Sequence, residues 1–260
     1  MRSFFYALML LTLSGLEQCI KQAVFRKGSN VNVISYADDF VVTSTSRELL
    51  DETIKPLIVT FLKERGLELS PEKTVITSVS EGFDFLGFNI RKYRNKLLIK
   101  PSKSNVLAFI RNIRAVIKSH PTMVTGELIR ILNPKLRGWG NYYKHSVAKQ
   151  TFEYVDSEIF KALRRWSTRR HPNKGTKWVV RKYFLPENSC QWRFQGVWHV
   201  NGLTTREYLS QLAQIPIRRH IKIRSEATPY DPVYADYWQS RKENQGRSRN
   251  SWYATIETAL

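Results

Sequence analysis

Two adjacent carboxylates, Asp38 and Asp39, stand between two short runs of residues that favour β-strands. β-Branched side chains dominate residues 31–34 before the pair and residues 41–43 after it, which predicts a hairpin with the acids at its tip. Nucleotidyl transfer uses two Mg2+ ions about 3.5–4 Å apart to steady the attacking and leaving oxygens, and Mg2+ takes carboxylate ligands together with water and substrate phosphate. The pair is therefore a candidate metal site, while an ordinary turn that uses aspartates for its own geometry stays open.

The charge of the chain limits its partners. Its 42 lysines and arginines outnumber its 22 acidic residues, and the net charge of +20 attracts polyanions, first nucleic acid and second an acidic membrane surface. Residues 101–185 hold 18 of the basic residues and 4 of the acidic ones, so the middle third carries most of the excess. A chain of 260 residues can bury a sizeable core and is expected to form two or three compact units.

Two cysteines, Cys19 and Cys190, exclude a disulfide framework and a paired-cysteine zinc site, and they indicate a reducing compartment. The apolar run at residues 4–13 is too short for a membrane span and precedes no clear signal cleavage site. We expect no secretion, no membrane partner, and a location in the cytoplasm, or in the organelle interior if the chain is organelle-encoded. The run is predicted to begin a helix under the hairpin, with apolar positions at Leu10, Leu13, Leu16 and Ile20.

The order of predicted elements indicates an α+β fold, with an antiparallel sheet that carries helices on one face. After the hairpin, Ser46 is placed to cap a helix that runs to about Glu64 and ends at Gly66. Strands are then predicted at residues 75–76, 83–90 and 97–100, with a basic turn at 91–96.

Three helices are predicted after residue 101, each with an apolar stripe and a separate polar face. Their core positions are Val106, Ile110, Ile113 and Ile117 in the first, Leu128, Ile129 and Leu132 in the second, which begins at Thr125, and Phe152, Val155, Ile159, Leu163 and Trp166 in the third. Cations predicted to face phosphate are Arg111, Arg114 and Lys118 in the first helix and Lys161, Arg164 and Arg165 in the third. A basic turn and tail at 169–182 adds Arg169, Arg170, Lys174 and Lys177, although a solvated surface run is its alternative.

Three segments in the first part of the chain resemble a known family. YADDF at 36–40, GLELSPEKT at 66–74 and FDFLGFNI at 83–90, in this order, are similar to the last palm motifs of reverse transcriptases of the group II intron type. The resemblance implies that Asp38 and Asp39 are the second and third members of a catalytic carboxylate set that holds Mg2+. It also implies that Lys73 lies near the phosphates of the incoming nucleotide as a general acid, and that Tyr36, Phe85 and Gly87 contact nucleic acid. From the residues alone, Lys73 can equally be a solvated turn lysine, and 85–88 can be a core strand.

A second resemblance covers the predicted helical region. Residues 129–133 and 136–145, which include Arg-Gly-Trp-Gly-Asn-Tyr-Tyr-Lys-His, are similar to the signature of the group II intron maturase domain, which is also the polymerase thumb. Aromatic rings beside cations suit RNA, because unstacked bases pile on flat side chains while cations take the phosphates. The predicted RNA contacts are Arg137, Trp139, Tyr142, Tyr143 and Lys144. A packed-core role for Trp139 and Tyr142 stays open.

Residues beyond 185 are predicted to form a small third unit. Trp192, Phe194 and Trp198 suggest strands, and the run 204–207 has the pattern of a capping box that opens a short helix. Residues 218–232 resemble the DNA-binding region that follows the maturase domain in this family. No cysteine or histidine follows Glu243, so we expect no zinc-dependent endonuclease.

The predicted domains are a partial palm at 1–100, a thumb and maturase domain at 101–185, and a DNA-binding-like region at 186–260. The only acidic residue before Tyr36 is Glu17, so the sequence is expected to begin partway through the palm and to lack polymerase activity by itself. The resemblance implies a reverse transcriptase and maturase of a mobile group II intron, with intron RNA as partner and target DNA or a second copy as further partners. A non-enzymatic intron-RNA-binding splicing factor and an inactive fragment of a decayed gene are the alternatives.

Overall fold

A computed structural model describes residues 11–24, 30–187, 190–200, 203–218, 223–224 and 226–244. Leu10, most of the apolar run at 4–13, part of the basic run at 218–232 and the terminal stretch from residue 245 lie outside the described residues. The chain divides into two compact units, residues 1–102 and residues 103–260. None of the helices in the described ranges combines the length and the hydropathy that a bilayer crossing requires.

The first unit begins with a helix and a hairpin that share one core. Helix α1 (Leu16–Ala23) is followed by β1 (Asn32–Tyr36) and β2 (Asp39–Thr43), which pair antiparallel, and then by a π-helical segment (Leu49–Ile54) that continues into α2 (Lys55–Lys63). Leu16 and Ile20 of α1 pack with buried residues of the following helix, and the inward side chains of the hairpin rest on this cluster. The cluster fixes one face of the hairpin, since a register slip would turn its apolar residues to solvent.

The π-helical segment and α2 form one continuous helix, whose limits follow from the residues at its two ends. The Ser46 Oγ accepts a hydrogen bond from the Leu49 N–H at 3.3 Å, as the predicted cap requires. At the other end Gly66 has φ 69°, a conformation that costs glycine little, and the Leu67 N–H returns to the Leu62 carbonyl at 2.9 Å. The predicted helix from Ser46 to Gly66 is confirmed.

A separate three-stranded antiparallel sheet completes the first unit. It contains β3 (Phe83–Phe85), β4 (Phe88–Tyr93) and β5 (Lys96–Pro101), in that order. The single strand predicted at 83–90 is wrong, because Leu86 and Gly87 have φ 49° and 79° and reverse the chain between Phe85 and Phe88. The strand predicted at 75–76 is also absent, and the described residues of the unit form two small sheets instead of the predicted continuous sheet.

The second unit is built on three long helices. Helices α3 (Lys103–Ser119), α4 (Thr125–Tyr143) and α5 (Lys149–Arg169) bury the apolar stripes that the sequence predicts. Helix α4 continues to Tyr143, so residues 136–143 of the signature lie inside this helix. A fourth helix, α6 (Thr176–Tyr183), replaces part of the predicted basic tail.

A three-stranded sheet and short helices follow within the same unit. Strands β6 (Phe184–Glu187), β7 (Cys190–Val200) and β8 (Leu203–Tyr208) are antiparallel, and 3-10 turns at Leu212–Gln214 and Pro232–Tyr234 precede α7 (Ala235–Asn244). The helix predicted from the capping-box pattern at 204–207 is wrong, because these residues pair with β7. Gly196 of β7 lies so close to the backbone of Gly126 that a Cβ atom would not fit between them.

The fold class is α+β, as predicted, with the described helices and three small antiparallel sheets. The division at residue 102 lies next to the first predicted domain boundary. Residues 103–260 form one compact unit, and the strands expected in a third domain pack beside the helices of the second. The functional assignment of residues 186–260 as a DNA-binding region stays a prediction.

Candidate functional site

The paired aspartates lie at the tip of the β1–β2 hairpin. Tyr36 pairs with Asp39, which leaves Ala37 and Asp38 as the two turn residues. Ala37 has φ 53°, which is unusual for a residue with a side chain, and it turns the chain sharply before the carboxylates. Both aspartates are exposed, and the Tyr36 side chain beside them keeps 61% of its surface accessible. The hairpin therefore presents two carboxylates and one ring to solvent.

The two carboxylates suit Mg2+ as far as their chemistry goes. Mg2+ is bound by one or two carboxylates that are completed by water and substrate phosphates, and Asp38 and Asp39 are accessible oxygen donors of this kind. Within the described residues, however, no group of three or more histidine, cysteine, aspartate or glutamate side chains could hold a metal ion. The hairpin supplies ligands for a cation, but these residues by themselves do not form the larger set that a two-metal site uses.

The other residues assigned to polymerase chemistry lie on exposed turns of the first unit. Lys73 ends a turn in which its backbone N–H bonds to the Ser70 carbonyl at 3.2 Å, and its side chain is exposed. Gly87 stands in the β3–β4 turn, where its carbonyl accepts the Ser102 N–H at 2.9 Å, and Phe85 beside it is half-buried. Gly87 is thus required by its positive φ, and the roles of Lys73, Phe85 and Gly87 in catalysis or nucleic-acid contact stay predictions.

The aromatic residues of the signature helix α4 do not share one role. Trp139 stacks on Phe109 with ring centroids 4.6 Å apart and planes 10° apart, and it also contacts Tyr143. Tyr143 is 3% exposed, and burial raises the pKa of its hydroxyl. The assignment of Tyr143 to RNA contact is corrected, because a ring without accessible surface cannot stack on a base. Tyr142 is 51% exposed and keeps its candidacy, as does the exposed Arg137.

A neighbouring face of α4 receives a segment that returns from the end of the sheet. We call residues 208–218 the strap. The buried Asn133 donates from Nδ2 to the Tyr208 carbonyl at 3.1 Å and accepts the Ser210 N–H at Oδ1 at 2.7 Å. Asp156 of α5 accepts the N–H groups of Leu212 and Ala213 at 3.0 and 2.8 Å. Two polar side chains from two helices therefore hold the strap at its backbone.

The end of α4 contributes further contacts to the strap. Gly140 leaves room for Leu212 and Ile215, since a Cβ atom there would come within 2.9 Å of the Leu212 Cδ2. The Lys144 carbonyl accepts the Arg218 N–H at 2.9 Å, and the His145 Nδ1 donates to the Arg218 carbonyl at 2.6 Å. Much of the signature thus positions the strap. Sequence reasoning missed these contacts, and the only local signal was a polar residue, Asn133, within an apolar stripe.

The predicted cations meet at a groove between α3 and α5. The groove has a volume of about 320 Å³. It is lined by Arg114, Ile117, Lys118, Pro121, Thr122, Ala162, Arg165, Trp166, Arg169 and Arg170. Five of the eighteen residues assigned to nucleic-acid contact therefore lie around one concavity with an apolar floor. The remaining cations of that set, among them Arg111, Lys144, Lys161 and Arg164, lie outside its lining.

The groove cations differ in how they are held. Arg114 forms an ion pair with Glu158, which also pairs with Lys161 at 2.8 Å. Arg170 donates to the Met123 carbonyl, and its guanidinium stands over the Trp166 ring at 4.5 Å from the centroid. Trp166 in turn donates from Nε1 to the His120 carbonyl at 2.8 Å. The floor and one rim are thereby rigid, while Lys118 and Arg169 are exposed at the groove.

A second cluster of cations and rings surrounds α6. Trp178 is 42% exposed, with the ammonium groups of Lys174 and Lys182 at 5.5 and 5.0 Å from its ring. An exposed ring flanked by cations is a typical platform for single-stranded RNA. A base stacks on the ring, and the lysine ammonium groups contact the neighbouring phosphates. Sequence reasoning assigned Lys174 and Lys177 but did not assign Trp178 and Lys182, although the single tryptophan next to Lys177 in this basic run could have indicated a ring beside cations.

Comparison with protein families assigns both units. Residues 7–90 match the reverse transcriptase (RNA-dependent DNA polymerase) family, and residues 106–184 match the group II intron, maturase-specific domain. The first match contains the acidic hairpin. The second contains α3 to α6 and therefore the whole lining of the groove.

Two curated proteins show the same relationship over shorter stretches. Maturase-like protein 1 of Euglena longa is 26% identical over 155 residues, which cover 50% of this chain and 33% of that protein. Maturase-like protein 1 of Euglena gracilis is 27% identical over 94 residues, or 34% of this chain and 20% of that protein. The alignments thus span no more than a third of the length of either relative. With a reverse transcriptase match followed by a maturase match, the chain belongs to the group II intron reverse transcriptase and maturase family.

Proposed function

We propose that this chain binds group II intron RNA through its second unit and assists the splicing of that RNA. The observation that carries the proposal is the groove between α3 and α5, where five cations and an apolar floor lie inside the region that matches the maturase domain. Lysine and arginine gain affinity for RNA by displacing the counterions that surround its phosphates. A concave arrangement concentrates that field at one place on the surface.

The direct test is binding as a function of salt. The probes are a structured group II intron transcript and a random-sequence RNA of the same length, titrated with the full chain between about 50 and 200 mM salt. Each phosphate contact should add roughly 0.7 to 0.9 to the slope of log affinity against log salt. The intron transcript should also bind more tightly than the random RNA and splice faster with the protein present. A flat salt response, or equal splicing with and without protein, would overturn the proposal.

We also propose a second activity, RNA-directed DNA synthesis, for proteins of this family. In this chain the acidic hairpin of the first unit supports it. Asp38 and Asp39 would hold Mg2+, which when bound neutralises charge on the phosphates of a nucleotide. In this chain the hairpin orients the carboxylates, and the exposed Lys73 would donate a proton to the leaving group. For the isolated 260-residue chain we expect no primer extension, because the described residues hold no third metal ligand near the pair.

Primer extension on an RNA template with Mg2+ separates the two activities. The Asp38→Asn, Asp39→Asn double variant is the control, and we expect it to match the unmodified chain, with neither making product. Product from the unmodified chain alone would assign DNA synthesis to the hairpin and contradict the expectation.

A non-enzymatic splicing factor is the alternative function, and the structure offers one observation in its favour. The groove is formed entirely within residues 103–260 and uses no residue of the acidic hairpin. If the double variant supports splicing as well as the unmodified chain does, splicing does not depend on the hairpin carboxylates. Target DNA, a second copy of the chain, a role in intron mobility, and a location in the cytoplasm or an organelle are proposals that rest on the family resemblance.

A further inference from the structure

Four of the five groove cations form two pairs on facing helices, and the fifth, Arg170, stands over the Trp166 ring. Arg114 and Lys118 are one turn apart on α3, and Arg165 and Arg169 are one turn apart on α5. Like charges at this spacing repel, and both pairs face the same concavity. An anion placed among these cations relieves the repulsion, and a cleft lined by one sign of charge attracts such a ligand.

The Glu158 carboxylate already supplies one negative charge beside these cations. Within the described residues, Glu158 of α5 is the acid that pairs with a groove cation: its Oε2 contacts Arg114, and its Oε1 accepts from Lys161. The Glu158 side chain is only 12% exposed, so its two oxygens stand between cations in the way a phosphate does. Carboxylate and phosphate both accept paired hydrogen bonds from arginine, and each can therefore replace the other at Arg114.

Arg114 has capacity for a second partner. Its Nε is buried and has no hydrogen-bond partner among the described residues. A guanidinium carries five donors in a planar fork, and Glu158 contacts it through Nη2. A phosphodiester of RNA presents two anionic oxygens, as a carboxylate does, so it can take the place that Glu158 holds at this guanidinium.

The floor of the groove indicates which part of a nucleic acid enters it. Trp166 is buried, its Nε1 bonds to the His120 carbonyl, and Arg170 stands over its ring, so the ring is not available as a base platform. Ile117 and Ala162 offer apolar contact but no hydrogen-bonding group to a base edge. The apolar floor thus offers no base-specific contact, and the cations around it suit the phosphate backbone.

We propose that the α3–α5 groove binds the phosphate backbone of RNA and that Glu158 occupies the place of a phosphate at Arg114 until RNA displaces it. The inference rests on the RNA binding proposed above and specifies its site and its internal competitor. Under this proposal Glu158 weakens RNA binding. A Glu158 that only stabilised the interface would strengthen binding.

The first test is Glu158→Gln in the full chain, with a single-stranded RNA of mixed sequence and about 16 nucleotides as the probe. Affinity should rise about fivefold or more with little change in the salt slope, because Arg114 contacts phosphate in both complexes and only the competition with Glu158 is removed. Glu153→Gln is the matched control, since it removes the same charge from an exposed site on the same helix. Equal gains for the two variants would show that only net charge matters and would overturn the proposal.

A double-mutant cycle then tests the contact itself. In an Arg114→Gln background, Glu158→Gln should lose most of its effect on RNA affinity, because the competition takes place at Arg114. Thermal melting of each variant separates a change in binding from a loss of folding. An undiminished gain in that background would contradict the proposed competition.

The groove is tested independently by its exposed cations. Lys118→Gln and Arg169→Gln should each lower affinity about fivefold to tenfold for all RNA sequences and reduce the salt slope by about one. Lys135→Gln, an exposed lysine of α4 outside the groove, should change affinity less than about twofold. If the chain binds RNA but these variants match Lys135→Gln, the groove assignment fails alone. If no RNA binds to the unmodified chain, the proposed function fails as well.

Discussion

Two glycines of α4 show how one residue type can serve different ends. Gly140 faces the strap and would bring a Cβ atom within 2.9 Å of the Leu212 Cδ2, whereas a Cβ atom on Gly138 would meet open space. Glycine inside a helix costs about 1 kcal/mol relative to alanine. At Gly138 this cost has no compensation in packing, and at Gly140 it allows the strap to approach the helix.

We therefore expect opposite effects from the same substitution. Gly138→Ala should raise the free energy of unfolding by up to about 1 kcal/mol through helix propensity. Gly140→Ala should lower it by roughly 1–2 kcal/mol, because overpacking against Leu212 and Ile215 outweighs the same gain. Urea unfolding followed by tryptophan fluorescence measures both, since every tryptophan of the chain lies beyond residue 138. A stabilised Gly140→Ala variant would contradict the close contact with the strap.

Asp156 gives the strap a dependence on pH. Burial raises the pKa of Asp156 to about 6, although the N–H groups of Ala213 and Leu212 and the charge of Lys149 act in the other direction. A carboxyl group with a raised pKa favours folding most when it is protonated, so its contribution is complete below its ordinary value of 3.8 and is lost as pH rises through about 6.

The free energy of unfolding should accordingly fall between about pH 4 and pH 6 by an amount on the order of 3 kcal/mol from this group. Asp156→Asn removes the proton equilibrium and should flatten this part of the stability profile, while its amide oxygen can still accept one strap N–H. Urea unfolding of both proteins at several pH values measures the difference. A difference in stability between the two proteins that stays constant from pH 4 to pH 7 would refute the assignment to Asp156.

At the scale of elements, polar side chains of α4 and α5 hold the strap beyond the end of β8. Asn133 meets both a carbonyl and an N–H of the strap, and it is buried in the apolar stripe of α4. Truncation of a buried partner leaves the other group unsatisfied, which costs about 1–3 kcal/mol for each group.

Asn133→Ala should thus lower the free energy of unfolding by roughly 2–4 kcal/mol and should speed hydrogen exchange at the Ser210 amide. The control is Asn141→Ala on the same helix, where the exposed side chain only accepts from Lys144 at 3.1 Å. That variant should change stability by less than about 0.5 kcal/mol. Unaltered exchange at Ser210 in the Asn133→Ala protein would show that Asn133 does not hold the strap.

Elements with strong periodicity could be predicted from the sequence, and those set by distant contacts could not. The stripes of α3, α4 and α5 are buried as predicted, because apolar residues at helical spacing have one way to leave water. Four residues at 204–207 resemble a helix cap, yet pairing with β7 decides their conformation. The same holds for the signature. From the sequence, Trp139 and Tyr143 are assigned to RNA contact, with a core role for Trp139 left open. The fold shows that both rings pack inward and that Asn133 binds a segment 77 residues away.

At the scale of the whole molecule, charge follows the division into units. Residues 1–102 contain 14 basic and 11 acidic residues, while residues 103–260 contain 28 basic and 11 acidic residues. The second unit therefore carries +17 of the total charge of +20. It also contains the groove, so both the long-range attraction of RNA and its proposed docking site belong to the same part of the chain.

A fragment of residues 103–260 should consequently fold and bind RNA with an affinity within about threefold of the full chain and with the same salt slope. Circular dichroism tests folding, and titration with the mixed-sequence RNA tests binding. A folded fragment that binds RNA more than tenfold more weakly would show that the first unit contributes to the RNA surface.

The strap also determines when the second unit can finish folding during synthesis. Ser210 follows its partner Asn133 by 77 residues. At about 5–20 residues per second, the ribosome synthesises it roughly 4–15 s after Asn133. Until then, Asn133 and the surface beside Gly140, which the strap covers in the folded protein, are exposed to solvent. The second unit can form its helices early, but it can close only after the polypeptide beyond residue 210 has left the exit tunnel.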